Sequence, residues 1–269
     1  MNNLKIAFIG GGAMGEAMLS SLLSRKLSTP KDIWVSDIKP ERRQHLTQSY
    51  GVNVTDNNRE AVSESDITVL AIKPQNLAEI MTGLKDAFKP SQLIISIIAG
   101  ARIATLSHGL AHKAIVRVMP NTPAQIGMGM SVWTATSEVT AAQKEQARAI
   151  LGVMGKEIYV DDEKYLDMAT AVSGSGPAYF FLFVEALTDA AVKIGIPRDV
   201  AEQLVMQTTL GSGKLLQKSG KPPAELRRQV TSPGGTTAGA IARFEQDGFS
   251  NLVLQAVTAA YKRAQELGK

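Results

Sequence analysis

The sequence predicts an α/β protein in which a doubly wound, mostly parallel sheet is followed by an all-helical half. Three observations carry that reading. Six short apolar runs recur in the first half, each nearly continuous rather than alternating, as strands buried on both faces are. Helix-length segments separate them, which is the spacing of βαβ units. From about Glu163 onward no run has strand character, and long helical patterns take over.

Residues 4–9 read as the first strand and 13–23 as the first helix, with Ala17, Met18, Leu22 and Leu23 on or near one face. The second strand spans 33–35. Pro40 opens a helix through Leu46, because its missing N–H falls where a helix leaves that group unpaired. Strands follow over 52–54, 67–72, 93–98 and 114–118, and two more are expected over 128–134 and 157–160, with a helix over 140–151 between them. The acidic run Asp161-Asp162-Glu163 marks the expected boundary, giving domains 1–162 and 163–269. In the second domain, helices are expected over 178–194 (opened by Pro177, stopped by Gly195), over 198–216, briefly after Pro222-Pro223, and over 244–267 with a break near Gly248. Tyr179, Phe180, Leu182, Phe183, Val184, Leu187, Ala190 and Ala191 make the first of these apolar over most of its circumference. Such a helix is buried on several sides, so the helical half is expected to complete its core against a partner subunit.

Composition narrows the chemistry. The 269 residues suit two domains, with ordinary apolar (44%) and charged (20%) fractions. The absence of cysteine excludes disulfides, thiol nucleophiles, iron–sulfur clusters and cysteine zinc sites. It fits a reducing compartment. A net charge of +4 over this length is a weak bias toward anionic ligands, not a nucleic-acid footprint. The sequence enters a strand pattern at once and has no apolar stretch of membrane length, so a cytoplasmic protein without membrane contact is expected. His108 and His112 share the spacing of a metal pair, but no third ligand accompanies them. They read as a surface pair, and no metal site is expected.

Gly10-Gly11-Gly12-Ala13-Met14-Gly15 satisfies G-x-G-x-x-G, follows a strand and opens a helix. In that setting the pattern is the fingerprint of a Rossmann-type dinucleotide site. Gly10 allows the tight turn, Gly12 the approach of a pyrophosphate, and Gly15 the packing of helix on strand. The first turn, with Ala13 and Met14, offers free N–H groups and the positive end of the helix dipole. At the end of the second strand, Asp37 sits where an acid binds the ribose 2′-hydroxyl of NAD. Ser36, Lys39, Arg42 and Arg43 around it suit a 2′-phosphate. Both cofactors stay open, with the lean toward NADP. Ala71, Lys73 and Pro74 end the fourth strand at its carboxyl edge, where open α/β sheets bind ligands. Met119 and Pro120-Asn121-Thr122-Pro123 follow the sixth strand as a rigid loop on the nicotinamide side.

Two segments of the second half, Ser173-Gly174-Ser175-Gly176-Pro177 and Ser232-Pro233-Gly234-Gly235-Thr236-Thr237, are rich in backbone N–H groups and hydroxyls ahead of helices. That is what a carboxylate-binding site needs. Gly211-Ser212-Gly213-Lys214 is not a nucleotide-phosphate loop, because Thr208 holds the leading glycine position and Leu215 follows the lysine.

Together these segments resemble the pyrroline-5-carboxylate reductases. The stretches that carry the resemblance are 8–15, 71–75, 117–124, 173–179 and 232–237, in order along nearly the whole chain. The resemblance implies reduction of 1-pyrroline-5-carboxylate to L-proline, the last step of proline biosynthesis, by hydride transfer from NADP(H) or NAD(H) to the imine carbon. It implies a catalytic Thr237 near the ring nitrogen, and a substrate site built from Met119, Pro120, Ser175, Ser232, Gly234, Gly235, Thr236 and Thr237. It places the 232–237 loop in the partner chain of a homodimer joined through the helical domain, with larger rings such as a decamer beyond it. Ile38, where many members carry an arginine, leaves the cofactor choice open. The chemistry agrees with the composition: an imine that arrives protonated needs a hydride and a positioned ring, not a histidine or a metal. Two other readings compete. One is a β-hydroxyacid dehydrogenase on the same plan, for which Lys214 is the only candidate lysine and its surroundings match poorly. The other is a non-catalytic dinucleotide-binding protein, against which the loops at Asn121 and Thr237 argue.

Overall fold

The computed structural model describes residues 4–268. The chain divides into two compact units: residues up to Ser175 together with those from Ala260 on, and Gly176–Ala259. The sequence boundary at 162/163 falls 13 residues before this division (175 − 162 = 13).

In the first unit, β1 (Ile6–Ile9), β2 (Ile33–Ser36), β3 (Asn53–Thr55), β4 (Ile67–Leu70), β5 (Leu93–Ser96), β6 (Ile115–Met119), β7 (Gly129–Ala135) and β8 (Gly155–Tyr159) form one sheet. Their order is β3-β2-β1-β4-β5-β6-β7-β8. The chain steps outward from β1 in both directions, so the sheet is doubly wound and its switch point lies between β1 and β4. Helices α1 (Ala13–Ser24), α2 (Pro40–Tyr50), α3 (Asn58–Ser63), α4 (Leu77–Leu84), α5 (Ile103–Leu110), α6 (Ala141–Gly152) and α7 (Lys164–Ala169) complete the unit. Every strand expected from the sequence is present. One departs from the parallel pattern: β7 runs antiparallel to β6. The link between them is a single 3-10 turn, Thr122–Ile126, which is too short for the crossover that a parallel pair needs. β8 then returns parallel to β7 after α6.

The continuous apolar runs are explained by two helix layers. Along β1 successive side chains alternate between faces. Phe8 packs with Met18, Leu19 and Leu22 of α1, Leu46 of α2 and Leu151 of α6. Ala7 and Ile9 pack with Val62 of α3, Leu84 of α4, and Leu106 and Leu110 of α5. Each of the large side chains contributes on the order of 1.5–3 kcal/mol by burial.

One buried charge interrupts this core. Arg117 of β6 is 3% exposed. It is neutralised by Glu163 (2.7 Å) and Asp167 (3.1 Å), which fasten α7 to the sheet. Glu163 also accepts the N–H of Ile103 at the start of α5 (2.8 Å). The pairing is what makes the burial tolerable, since an uncompensated charge there would be strongly destabilising.

The second unit holds α8 (Gly176–Lys193), α9 (Arg198–Ser219), α10 (Pro223–Gln229), α11 (Thr236–Gln246) and the first part of α12 (Phe249–Leu267). Among the described residues, every helix or strand beyond Glu163 is helical, as the sequence reading expected. Few side chains of α8 are buried. Phe180 is 68% exposed, Leu182 66% and, on α12, Leu252 62%. They line an apolar groove with Phe183, Phe249 and Val253. A patch of this kind marks an interaction surface.

Three expectations are corrected. Residues 173–177 are not a loop that bares a helix end. A π-helical turn over Thr170–Gly174 leads directly into α8, with the Ser175 N–H on the Thr170 carbonyl (2.8 Å). The glycines that suggest a loop instead tolerate this widened turn. The last helical stretch starts at Thr236, not Phe244, because Gly235 serves as an N-cap that the apolar periodicity alone did not reveal. His112 is not at the surface. Helix α5 stops at Leu110, Ala111 turns left-handed (φ 51), and His112 is 6% exposed with Nε2 on the Gln92 carbonyl (2.8 Å). Burial holds its imidazole below the ordinary histidine range.

Candidate active site

The chain leaves β1 at Gly10, whose N–H donates to the Ser36 carbonyl (2.8 Å) and whose φ is +99°. A Cβ there would lie 2.7 Å from the Ala71 carbonyl oxygen, and one on Gly15 would lie 2.6 Å from the Gly10 oxygen. Both positions therefore require glycine for local packing. Gly12 differs: a Cβ there meets nothing within 4 Å. Its backbone (φ −68°) suits any residue, and no side chain caps α1. Gly12 and Ala13 are exposed and Met14 is half-buried. The open space above Gly12, the unpaired first-turn amides and the helix dipole together could hold an anion. They lie at the carboxyl end of β1, beside the switch point. Neighbouring β4 ends at Leu70; the Ala71 N–H after it donates to the Ile9 carbonyl (2.9 Å), and the exposed pair Lys73 and Pro74 follows.

The polar residues after β2 are largely engaged with one another. Ser36 Oγ donates to Asn58 Oδ1 (2.6 Å). Asp37 accepts the Gly11 N–H on one oxygen (2.9 Å) and the Lys39 N–H on the other (2.9 Å). Each oxygen keeps a lone pair for a ribose hydroxyl. Arg42 donates through Nε to the Gly11 carbonyl and pairs with Glu16. Arg43 donates to the Asp37 carbonyl (2.7 Å) and pairs with Asp56 (3.3 Å). Among the described residues, Lys39 alone of these cations has neither a side-chain hydrogen bond nor an ion pair, and it is exposed.

Glu16 joins this cluster from the first turn of α1. It also accepts from His45 Nε2 (2.9 Å) and the Tyr50 hydroxyl (2.9 Å). Burial works to raise its pKa, but the hydrogen bonds from Arg42, His45 and Tyr50 and the charge of Arg42 prevail and lower it from 4.5 to about 2. Burial and the neighbouring Glu16 push the Tyr50 phenol up. Sequence reasoning passed over Glu16 and Asn58. The available signal for Glu16 was a carboxylate placed directly after the last glycine of an anion-binding motif.

On the other side of the switch point, β6 delivers Met119, Pro120 and Asn121. The Asn121 side chain is engaged within the protein. Nδ2 donates to the Ser173 carbonyl (3.1 Å), and Oδ1 accepts the Met130 N–H (2.9 Å). Met119 is half-buried, with its methyl group packed on Gly174. These contacts fix the π-helical turn, and half-buried Ser175 after it, to the end of β6.

In the second unit, Ser232-Pro233-Gly234-Gly235 forms a turn in which the Gly235 N–H donates to the Ser232 carbonyl (3.1 Å). Gly234 has φ +71°, and proline precedes it, which is the sequence chemistry of a type II turn. Gly235 caps α11 without a side-chain bond, so Thr236 and Thr237 occupy its first turn, with Thr237 half-buried. The arrangement could hold a second anion, with hydroxyls at its rim. Lys214 is exposed in mid-α9.

A glycine loop at the switch point of a doubly wound sheet, in a chain that also carries an all-helical unit with a bare apolar face, defines a class: the dinucleotide-dependent oxidoreductases with a helical dimerisation region. Comparison with known proteins bears this out. Residues 5–100 match a family described as NADP oxidoreductase, coenzyme F420-dependent, and residues 163–267 match pyrroline-5-carboxylate reductase dimerisation. The pyrroline-5-carboxylate reductase of Pseudomonas aeruginosa is 43% identical, over 100% of this chain and 98% of that one. The structure of a pyrroline-5-carboxylate reductase from Coxiella burnetii superposes over 100% of both chains with a TM-score of 0.92 and 36% identity. The Plasmodium falciparum pyrroline carboxylate reductase, solved with NADP bound, also matches over 100% of both chains, with a TM-score of 0.89 and 32% identity. The chain belongs to the pyrroline-5-carboxylate reductase family.

Proposed function

We propose that this chain reduces 1-pyrroline-5-carboxylate to L-proline with NADPH, and that NADH is a second donor. The observation that carries the reading is the presence, in one chain of this family, of two bare helix N-termini: α1 for a pyrophosphate and α11 for a small carboxylate. The residues fit a dinucleotide, since the space above Gly12 is open and the first-turn amides of α1 have no capping side chain. A bound reduced nicotinamide would supply the hydride for the imine carbon.

The chain's own residues position and neutralise. Gly12, Ala13, Met14 and Gly15 hold the pyrophosphate. Ser36, Asp37 and Lys39 face the adenosine ribose, and Ala71, Lys73, Pro74 and Asn121 border the nicotinamide half. Ser232, Gly234, Gly235 and Thr236 hold the substrate carboxylate at the dipole of α11, and Met119, Pro120 and Ser175 enclose the ring. The Thr237 hydroxyl orients the ring nitrogen and keeps its proton in place while the carbon is reduced. In keeping with the family resemblance, the 232–237 loop serves the partner's dinucleotide unit within a homodimer. Dimers assemble further into rings such as a decamer, which the mass of the assembly in solution tests. A reduced-dinucleotide reaction in a cysteine-free chain suits the cytoplasm.

The test is direct. Purified protein given the imine oxidises NADPH with proline formed in equal amount, and NADH more slowly. Absence of turnover with both donors would overturn the reading, whereas turnover of 3-hydroxy acids instead would favour the β-hydroxyacid type.

A further inference from the structure

We propose that Arg42 is a positioning residue for the pyrophosphate-binding loop, and that Glu16 holds it in that role. The inference rests on the reading of the chain as a dinucleotide enzyme. Its starting point is the geometry of one peptide unit. The Gly11 carbonyl and the Gly12 N–H belong to the same trans peptide, so they point in opposite directions. Arg42 Nε takes the Gly11 carbonyl. That contact turns the Gly12 N–H away from Arg42. A Cβ on Gly12 would itself meet nothing within 4 Å, so the residue borders open space.

The neighbouring groups are fixed in the same sense. The Gly11 N–H is held by Asp37 (2.9 Å), and the Gly12 carbonyl accepts the Glu16 N–H (2.9 Å). Both carbonyls of the Gly11–Gly12 pair are thus occupied within the protein, and the Gly12 N–H is left for an anion. A loop free to flip this peptide would present a carbonyl oxygen to the phosphate in one of its two orientations. A preset donor avoids the entropy of choosing.

Arg42 also solves an electrostatic conflict. Glu16 places a carboxylate in the first turn of the helix whose dipole attracts the phosphates, and it stays ionised at neutral pH. Arg42 Nη2 pairs with it. His45 and Tyr50 hold the other oxygen of the same carboxylate from α2, so the partner that anchors the guanidinium is itself fixed by two further groups. The planar fork of arginine reaches the carbonyl and the carboxylate together, which a lysine ammonium cannot reproduce.

This role differs from the one the sequence suggested, in which Arg42 reads a 2′-phosphate. The pyrophosphate is common to NADH and NADPH, and the 2′-phosphate is not. Dissociation constants of both dinucleotides measured on the same variant therefore separate the two roles. Arg42→Gln is expected to weaken NADH and NADPH by the same factor, about tenfold, the size of one charge-assisted hydrogen bond to a phosphate. The loss appears in Kd and in KM for the dinucleotide more than in kcat. Arg42→Lys is expected to recover only part of it, and serves as the test should the glutamine variant fail to fold. If the unaltered protein binds neither dinucleotide, the functional reading itself fails. If it binds both, two results overturn the positioning role: unchanged affinity in Arg42→Gln, or a loss confined to NADPH.

Discussion

Gly12→Val isolates the dinucleotide site from the fold. A Cβ at this position meets nothing within 4 Å, and the backbone at φ −68° is one that valine adopts without strain. The substitution therefore costs the folded protein little, and its thermal midpoint is expected to stay within about 2 °C of the unaltered protein, since surface changes of this kind stay within about 0.5 kcal/mol. The added side chain fills the space assigned to the pyrophosphate. Each charge-assisted hydrogen bond lost there is worth about 1.5–3 kcal/mol, a factor of roughly 10 to 100 in affinity. With two phosphates displaced, a loss above about 100-fold is expected. Gly15→Ala is the control with the opposite signature, because its Cβ would sit 2.6 Å from the Gly10 oxygen. It should lower the melting temperature before it changes chemistry. Titration of NADPH fluorescence and a melting curve on both variants decide the matter. Dinucleotide affinity within about threefold of normal in Gly12→Val would refute the assignment.

The remaining predictions concern catalysis, assembly and acid stability. Thr237→Ala is expected to lower kcat about 10- to 100-fold, with Thr237→Ser restoring most of it. An equal loss of dinucleotide affinity would contradict the role given to the hydroxyl. Leu252, 62% exposed on the isolated chain, is expected to be covered in the oligomer. Leu252→Arg changes a two-fold interface twice, at about 1.5–3 kcal/mol each, so self-association weakens by about 100-fold or more. Light scattering on dilute protein checks this, and an unchanged oligomer would rule out that face. Glu16 has a folded-state pKa of about 2 against an ordinary 4.5, so its stabilisation is complete above pH 4.5 and is lost as pH falls toward 2. The difference of roughly 2.5 units corresponds to about 3 kcal/mol at most. The gap in unfolding free energy between the unaltered protein and Glu16→Gln should therefore shrink across that window. A gap that stays constant down to pH 2 would contradict the assignment.

The strands were legible because burial on both faces leaves a continuous apolar run that few other structures produce. Phe8 and Ile9 illustrate it: one faces α1, the other faces α3 to α5, and both must be apolar. The glycine loop was legible because its geometry excludes side chains at Gly10 and Gly15. What stayed hidden depends on contacts distant in sequence. Nothing local to Ser173-Gly174-Ser175 announces a π-helical turn; it is held by Asn121 and by Met119 packed on Gly174. The direction of β7 follows from a short connection whose 3-10 geometry the sequence did not disclose. His112 reads as a surface residue only if α5 continues, and it stops two residues earlier.

The end of β2 shows why residue type alone could not choose the cofactor. Counting charges there sets one acid against three bases, which reads as a compromise between a ribose hydroxyl and a 2′-phosphate. The structure removes most of those charges from the count. Arg42 is committed to Gly11 and Glu16, Arg43 to Asp37 and Asp56, and Asp37 to two backbone amides. A charge already neutralised within the protein contributes little to discrimination between ligands that differ by one phosphate, because breaking its pairing offsets what the new contact supplies. The groups with unused capacity are then the ammonium of Lys39 and the remaining lone pairs of Asp37. On the proposal made above, cofactor choice rests on those few uncommitted atoms, while Arg42 shapes the loop that both dinucleotides share.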